Sequence, residues 1–76
     1  MKVVIAKVDE NIYDGEAVSV TLPGSSGEMT VLHNHESLIT TLKRGVITVR
    51  GSGSERQFAV SSGVLEVRRD GITVIL

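Results

Sequence analysis

Seventy-six residues, 41% of them hydrophobic and 22% charged, bound one small domain, which on folding buries only about 60% of the surface its extended chain exposes. The chain has no cysteine, so neither a disulfide framework nor a thiolate metal site is available to staple it. Eight Lys and Arg interspersed among nine Asp and Glu leave a net charge of −1, which excludes the basic patch of a nucleic-acid binder and the polybasic segment of a membrane anchor. The short apolar run Val3 to Ala6 is too brief for a signal peptide or a membrane span, and a soluble intracellular domain is the default expectation.

Val, Ile and Leu supply most of the apolar content, beside one Phe, one Tyr and no Trp. A composition rich in β-branched side chains and poor in aromatics points to many short strands around a tight aliphatic core. Lys2 to Val8 reads as the first strand, with Val3 and Ile5 on one face and Val4 and Ala6 on the other. Asp9-Glu10-Asn11 is a turn, and Ile12 to Gly15 a short irregular link ending in the turn signal Asp-Gly. Glu16 to Leu22 alternates, with Val18, Val20 and Leu22 opposed to Ala17, Ser19 and Thr21, the period of a half-buried strand.

The stretch Leu22 to Arg50 changes character most often. It holds the only proline, both histidines and three of the eight glycines. Pro23-Gly24 predicts a turn, because Pro presets φ and Gly tolerates the positive φ that can follow, and Ser25, Ser26 and Gly27 extend it into a polar loop. Glu28 to Leu32 is extended and stops at His33-Asn34-His35-Glu36. Ser37 to Leu42 is apolar and hydroxylic, and Lys43-Arg44-Gly45 turns the chain into another strand. Further on, Gly51 to Ser54 reads as a loose hairpin connection and Glu55 to Ser61 as a strand with Phe58 and Val60 inward. Ser62-Gly63 turns into Val64 to Arg69, and Asp70-Gly71 is the strongest two-residue hairpin signal, before Ile72 to Leu76. No window sustains a helical repeat. Eight or nine strands at this spacing predict an all-β sandwich or barrel.

The sharpest chemical reading of these residues is a metal site. On an extended segment His33 and His35 would project to one face, and Gly27 stands six residues before His33 as in the cupin pattern Gly-x5-His-x-His. The pattern then fails. The Glu expected four or five residues past the second His falls on Ile39 or Thr40, no later His follows, and Glu36 points to the opposite face, a poor donor set for zinc or iron. Nucleophilic and phosphate-binding motifs fail likewise. No Gly-x-Ser-x-Gly elbow occurs, and the Gly51 to Ser54 run lacks the Lys and the helix of a P-loop.

The segment Leu22 to Arg50 resembles the signature segment of the ε subunit of rotary ATP synthases, called δ in mitochondria. That pattern is a Pro-Gly or Gly-Ser turn, Gly-Glu, an aliphatic pair, His-x-Pro-Leu-x-Thr, then Leu-Lys-x-Gly and a strand. Its counterparts are Pro23-Gly24, Gly27-Glu28, Val31-Leu32, His35, Leu38, Thr40 and Leu42-Lys43-Arg44-Gly45. Phe58 to Leu76 is similar to the family's closing Ser-Gly, Leu-Glu-Val and Val-Thr-Val strands, and Tyr13-Asp14-Gly15 to its aromatic corner. Ser37 stands where the family usually has Pro, and Ser62 where it often has Gly.

The resemblance implies a flattened β-sandwich of about eight to ten short strands. Residues 1–76 would form this one domain, ending where members continue into a C-terminal helical hairpin. It implies a non-catalytic rotor subunit, without cofactor or metal, that bridges the γ subunit and the c ring and couples ion flow to ATP synthesis. By the same resemblance Ser26, Gly27, Glu28 and Met29 would meet polar loops of the c ring, and His35, Leu38, Thr40 and Leu42 would lie on the γ side. The complex would sit on the inner face of the bacterial plasma membrane, this chain in the cytoplasm and not inserted. ATP binding and inhibition of hydrolysis belong in the family to the hairpin, so neither is expected of these residues. The readings that compete are a β-sandwich interaction module with another partner and a degenerate cupin-like enzyme. The incomplete ligand set predicts no stoichiometric zinc, iron or manganese in the purified protein. Elemental analysis finding one metal per chain, lost in His33→Ala, would contradict it.

Overall fold

Stiff β-branched side chains pack well on a pleated surface and poorly in a helix, and the chain obeys that preference throughout. The computed structural model describes residues 1–76 and holds nine strands. These are β1 (Lys2–Lys7), β2 (Glu10–Glu16), β3 (Ser19–Gly24), β4 (Gly27–Leu32), β5 (Leu38–Leu42), β6 (Gly45–Gly51), β7 (Ser54–Val60), β8 (Gly63–Arg68) and β9 (Gly71–Ile75). No helix of the structure is long and apolar enough to cross a membrane.

The strands pair in the order β2-β1-β9-β8-β5-β3-β6-β7, with β4 on the other side of β3. Between β5 and β3 the ladder narrows to one residue pair, Gly24 with Leu42. The path therefore curls there into two layers, β2-β1-β9-β8-β5 and β4-β3-β6-β7, a flattened sandwich of 27 × 24 × 19 Å. Fourteen buried side chains fill the space between them, all Ala, Val, Leu or Ile. Val3, Ile5, Leu65, Val67, Ile72 and Val74 come from one layer; Val20, Leu22, Val31, Ile47, Val49 and Val60 come from the other. No buried side-chain polar atom lacks a partner. The ion pairs, such as Lys2 with Asp14 at 3.6 Å and Arg50 with Glu55 at 3.4 Å, are solvated and contribute little. Stability rests on the aliphatic core.

Strands β2 and β7 end the ladder path, and their side chains meet across the layers. The Tyr13 and Phe58 rings lie 5.5 Å apart at 56°. The Arg56 guanidinium carbon stands 5.5 Å from the Tyr13 centroid and 5.3 Å from that of Phe58, within cation–π range of both. The only two aromatic residues of the chain thus cover the open flank of the core.

Several local expectations are corrected. Ile12 to Gly15 is not a link but part of β2, because its backbone completes a ladder with β1 from Lys2–Glu16 to Lys7–Glu10, shifted by a bulge between Ile5 and Ala6. Val18 is exposed and Ala17 buried, because the chain is passing between layers there and is held by bonds from Ala17 N to Met1 O and from Val18 N to Arg50 O. Pro23 and Gly24 are the last residues of β3 rather than a turn. The β3–β4 ladder runs on through Pro23–Glu28 and Gly24–Gly27, leaving Ser25-Ser26 as the turn. Pro23 falls between the pairing of β3 with β6, which ends at Thr21, and the bridge to β5 at Gly24, a gap in the ladder that suits a residue without an N–H.

The connection expected to be a loose hairpin at Gly51 to Ser54 is a two-residue turn, closed by the Gly51–Ser54 pair. The last hairpin turns at Arg69-Asp70, since Arg68 pairs with Gly71. The glycine there serves a different need. In the parallel pair of β1 with β9, Gly71 lies opposite Lys2, and a Cβ at Gly71 would strike the Lys2 backbone carbonyl oxygen. Overpacking of that kind costs about 1–3 kcal/mol, and 1 kcal/mol moves the midpoint of a domain this size by about 4–8 °C. Gly71→Ala should therefore lower the melting temperature by roughly 5–20 °C, read by circular dichroism.

Candidate partner interface

The tip of the β3–β4 hairpin is held by bonds that leave the hairpin. Ser25 N donates to Thr41 O at 3.0 Å, and Lys43 N donates to Pro23 O at 2.9 Å. The Ser25 hydroxyl reaches the same Thr41 carbonyl at 3.0 Å and the Thr41 hydroxyl at 2.6 Å. Surface turns are ordinarily more mobile than the strands they connect; this one is strapped to β5. Gly27 follows with φ of 140°, a conformation that a side chain would strain.

Around this tip Ser26 and Glu28 are exposed and Gly27 is half-buried. Met29 alternates inward and packs against the core. On the outer face of the same layer an open groove of about 620 Å³ is lined by Thr21, Glu28, Thr30, Lys43, Thr48 and Arg50. Arg50 donates to Thr21 Oγ1 at 2.8 Å. Hydroxyls and charges of both signs on an open surface suit the polar loops of a protein better than they enclose a small molecule.

Strand β5 places the second set of residues. Leu42 is 4% exposed and belongs to the core, so of the four residues expected at the γ side it is the one whose side chain lies inside the fold. Leu38 and Thr40 share its inward side but are only half-buried, Leu38 packing against the core from its rim. The outward positions are Ile39, 70% exposed, and Thr41, which sequence reasoning did not select. Strict alternation counted back from Leu42 would have found them. His35 is half-buried before the strand, its Nδ1 2.9 Å from Glu36 O.

The cluster His33 to Glu36 is not extended, as the metal reading required. His33-Asn34 is a turn with Asn34 at φ of 64°, so the chain reverses between the two imidazoles and the alternation that would align them is lost. No three His, Cys, Asp or Glu side chains gather where they could hold a metal ion. Two regions instead adjoin: the hairpin tip at Ser26 to Glu28 and the strand that His35 introduces, joined through Ser25 and Thr41.

The family model for the ATP synthase delta/epsilon chain β-sandwich domain matches residues 1–76. The chain belongs to this family. Among curated relatives it is 42% identical over 77 aligned positions to ATP synthase epsilon chain 2 of Burkholderia orbicola (strain AU 1054), covering 99% of this chain and 51% of that one. It is 40% identical to the ATP synthase epsilon chain of Herminiimonas arsenicoxydans, covering 99% and 55%. Among solved structures it superposes with a TM-score of 0.88 and 25% identity on a chain of the Euglena gracilis mitochondrial ATP synthase, OSCP/F1/c-ring in rotational state 1, covering 96% of this chain and 48% of that one. A chain of the Tetrahymena thermophila mitochondrial ATP synthase central stalk/c-ring shares the fold, with a TM-score of 0.74 at 15% identity over 99% and 63%. This chain spans about half the length of the curated relatives it matches.

The contrast between the strap and the exposed tip is measurable. Glu28→Ala should leave stability within about 0.5 kcal/mol of the parent, as exposed substitutions do. Ser25→Ala, which removes both hydroxyl contacts to Thr41, should cost about 0.5–1.5 kcal/mol. Denaturant titration of both variants compares them directly.

Proposed function

We propose that this chain is a non-catalytic part of the rotor of a rotary ATP synthase, lying between the γ subunit of the central stalk and the ring of membrane c subunits and coupling ion flow to ATP synthesis. The observation that carries the reading is a family match spanning residues 1–76 together with a superposition, over 96% of the chain, on a chain of an F1/c-ring assembly. In that role the chain is peripheral to the membrane, at its inner face in a bacterium. Ser26, Gly27 and Glu28 meet polar loops of the c ring, and Met29 supports them from the core side. His35, Leu38 and Thr40 face γ, and Leu42 anchors their strand in the core.

A rotor element is served by stiffness between its two contacts, because a compliant segment would let them turn out of step. The Ser25–Thr41 and Lys43–Pro23 bonds tie the tip to the strand without an intervening loop, and the aliphatic core behind them resists shear. The c-ring side and the γ side then move as one body.

The test is reconstitution of the 76-residue chain into vesicles carrying an ATP synthase depleted of its ε subunit. Proton-driven ATP synthesis should return. ATP hydrolysis should not be suppressed, and calorimetry with millimolar ATP should register no binding. Glu28→Ala should weaken attachment to the c ring. Absence of restored synthesis, with the chain folded and present, would refute the proposal.

A further inference from the structure

Three threonines and a glutamine stand in one row across the outer face of the β4-β3-β6-β7 layer. Thr30 is paired with Thr21, Thr21 with Thr48, and Thr48 with Gln57. Their strand neighbours Val20, Val31, Ile47 and Val49 fill the core, so by alternation this row faces solvent as one continuous polar strip. The strip is the floor of the open groove on that face, and Lys43 and Arg50 stand along it.

Thr48 is the anomaly of the row. It is only 7% exposed, yet its hydroxyl makes no hydrogen bond, whereas Thr21 and Thr30 are bonded to each other at 3.1 Å. No fully enclosed side-chain polar atom of the fold lacks a partner, so the Thr48 oxygen is reached from the groove it lines. A polar group so nearly out of water is costly to leave unbonded. The groups around it are mostly donors. Arg50 donates to Thr21 Oγ1 at 2.8 Å; an oxygen that accepts from a guanidinium is left to donate to its neighbour, which frees the Thr30 proton to turn outward. Lys43 has no ion pair, and Arg50 keeps N–H groups beyond its 3.4 Å contact with Glu55. Glu28, the one carboxylate of the lining, is paired with Pro23 near the hairpin tip, one row and two strands away from Thr48.

We infer that this groove docks an acidic segment of a protein partner, which lays a carboxylate over the Thr48 hydroxyl between Lys43 and Arg50. Charge complementarity selects the occupant. The lining carries two cations and one carboxylate in a chain whose net charge is −1, so the groove favours an anion on a molecule that elsewhere does not. Hydrogen bonds donated to an ionised acceptor are about twice as strong as neutral ones, and a carboxylate accepts from hydroxyl and cation at once. The short threonine side chains leave a flat strip along which a peptide lies, while the open walls enclose no small anion. The groove is apart from β5 and its γ-side candidates, and its occupancy does not rest on the rotor reading.

The experiment is an NMR titration of the 76-residue chain with a hexaglutamate peptide blocked at both ends, against blocked hexaserine and hexalysine. Hexaglutamate should shift the amides of Thr21, Thr30, Thr48 and Gln57 in preference to those of the other layer, and the two controls should not. Thr48→Val keeps the β-branched shape and removes only the hydroxyl; it should bind hexaglutamate about tenfold more weakly, while Thr48→Ser, which keeps the hydroxyl, loses less. Lys43→Gln, at the exposed rim, should weaken binding about twofold to fivefold. Because the Thr48 hydroxyl has no partner within the fold, Thr48→Val should melt no lower than the parent, which separates a binding role from a structural one. Absence of hexaglutamate binding, shifts spread over both layers, equal binding of hexalysine or hexaserine, or unaltered binding by a folded Thr48→Val would each overturn the acidic-segment site. The rotor reading is decided separately, by the reconstitution.

Discussion

The two layers of this sandwich are joined, as a hydrogen-bonded sheet, at a single residue pair. Gly24 of β3 faces Leu42 of β5, and the bonds on either side of that pair, Ser25 to Thr41 and Pro23 to Lys43, complete the corner. A twisted sheet that must fold over on itself needs a place where one neighbour is exchanged for another. Here the exchange falls on a proline that offers no N–H and a glycine without a Cβ. The Leu42 side chain fills the core beneath the corner, so the strand that carries the γ-side candidates is fastened from inside.

Because the corner is also the tip of the β3–β4 hairpin, its polar turn is tied to the core by a path only a few bonds long. That makes a surface turn stiff without burying it. Ser26 and Glu28 remain free to meet a partner, and Ser25 spends its hydroxyl on Thr41. Elsewhere the fold closes by side chains. The parallel pairing of β1 with β9 brings the first and last strands together, and the Tyr13, Phe58 and Arg56 stack covers the flank where β2 and β7 share no ladder. Both closures join residues far apart in sequence, so they carry an entropic cost that local pairs do not bear.

Much of the fold was legible in the residues, and the resemblance to the ε family carried the functional reading. Two of the misreadings share one cause. Asp14-Gly15 and Pro23-Gly24 each carry the local chemistry of a turn, and each lies in a strand because a neighbouring strand imposed its register. The hairpin signalled by Asp70-Gly71 is present, with its turn one residue earlier. Val18 has the right spacing for the core and lies outside it, displaced by the crossing between layers. The resemblance placed Leu38, Thr40 and Leu42 toward γ; they alternate along β5, and that the side chain of Leu42 lies in the core depended on the layer packed against it.

By itself, then, the sequence determined that this chain is all-β, that its core is aliphatic and without disulfides, and that it carries the residue pattern of the ATP synthase ε family. Those properties follow from side-chain shape, charge and local spacing, which need no knowledge of what packs against what. Tertiary structure decided where the turns fall, which glycine admits a neighbouring backbone, which positions of β5 face out and which strand edges stay unpaired. A period of two defines two faces but not which is buried, and a strand does not encode its neighbours. Only the pairing of β3 with both β6 and β5, on either side of one proline, makes that choice.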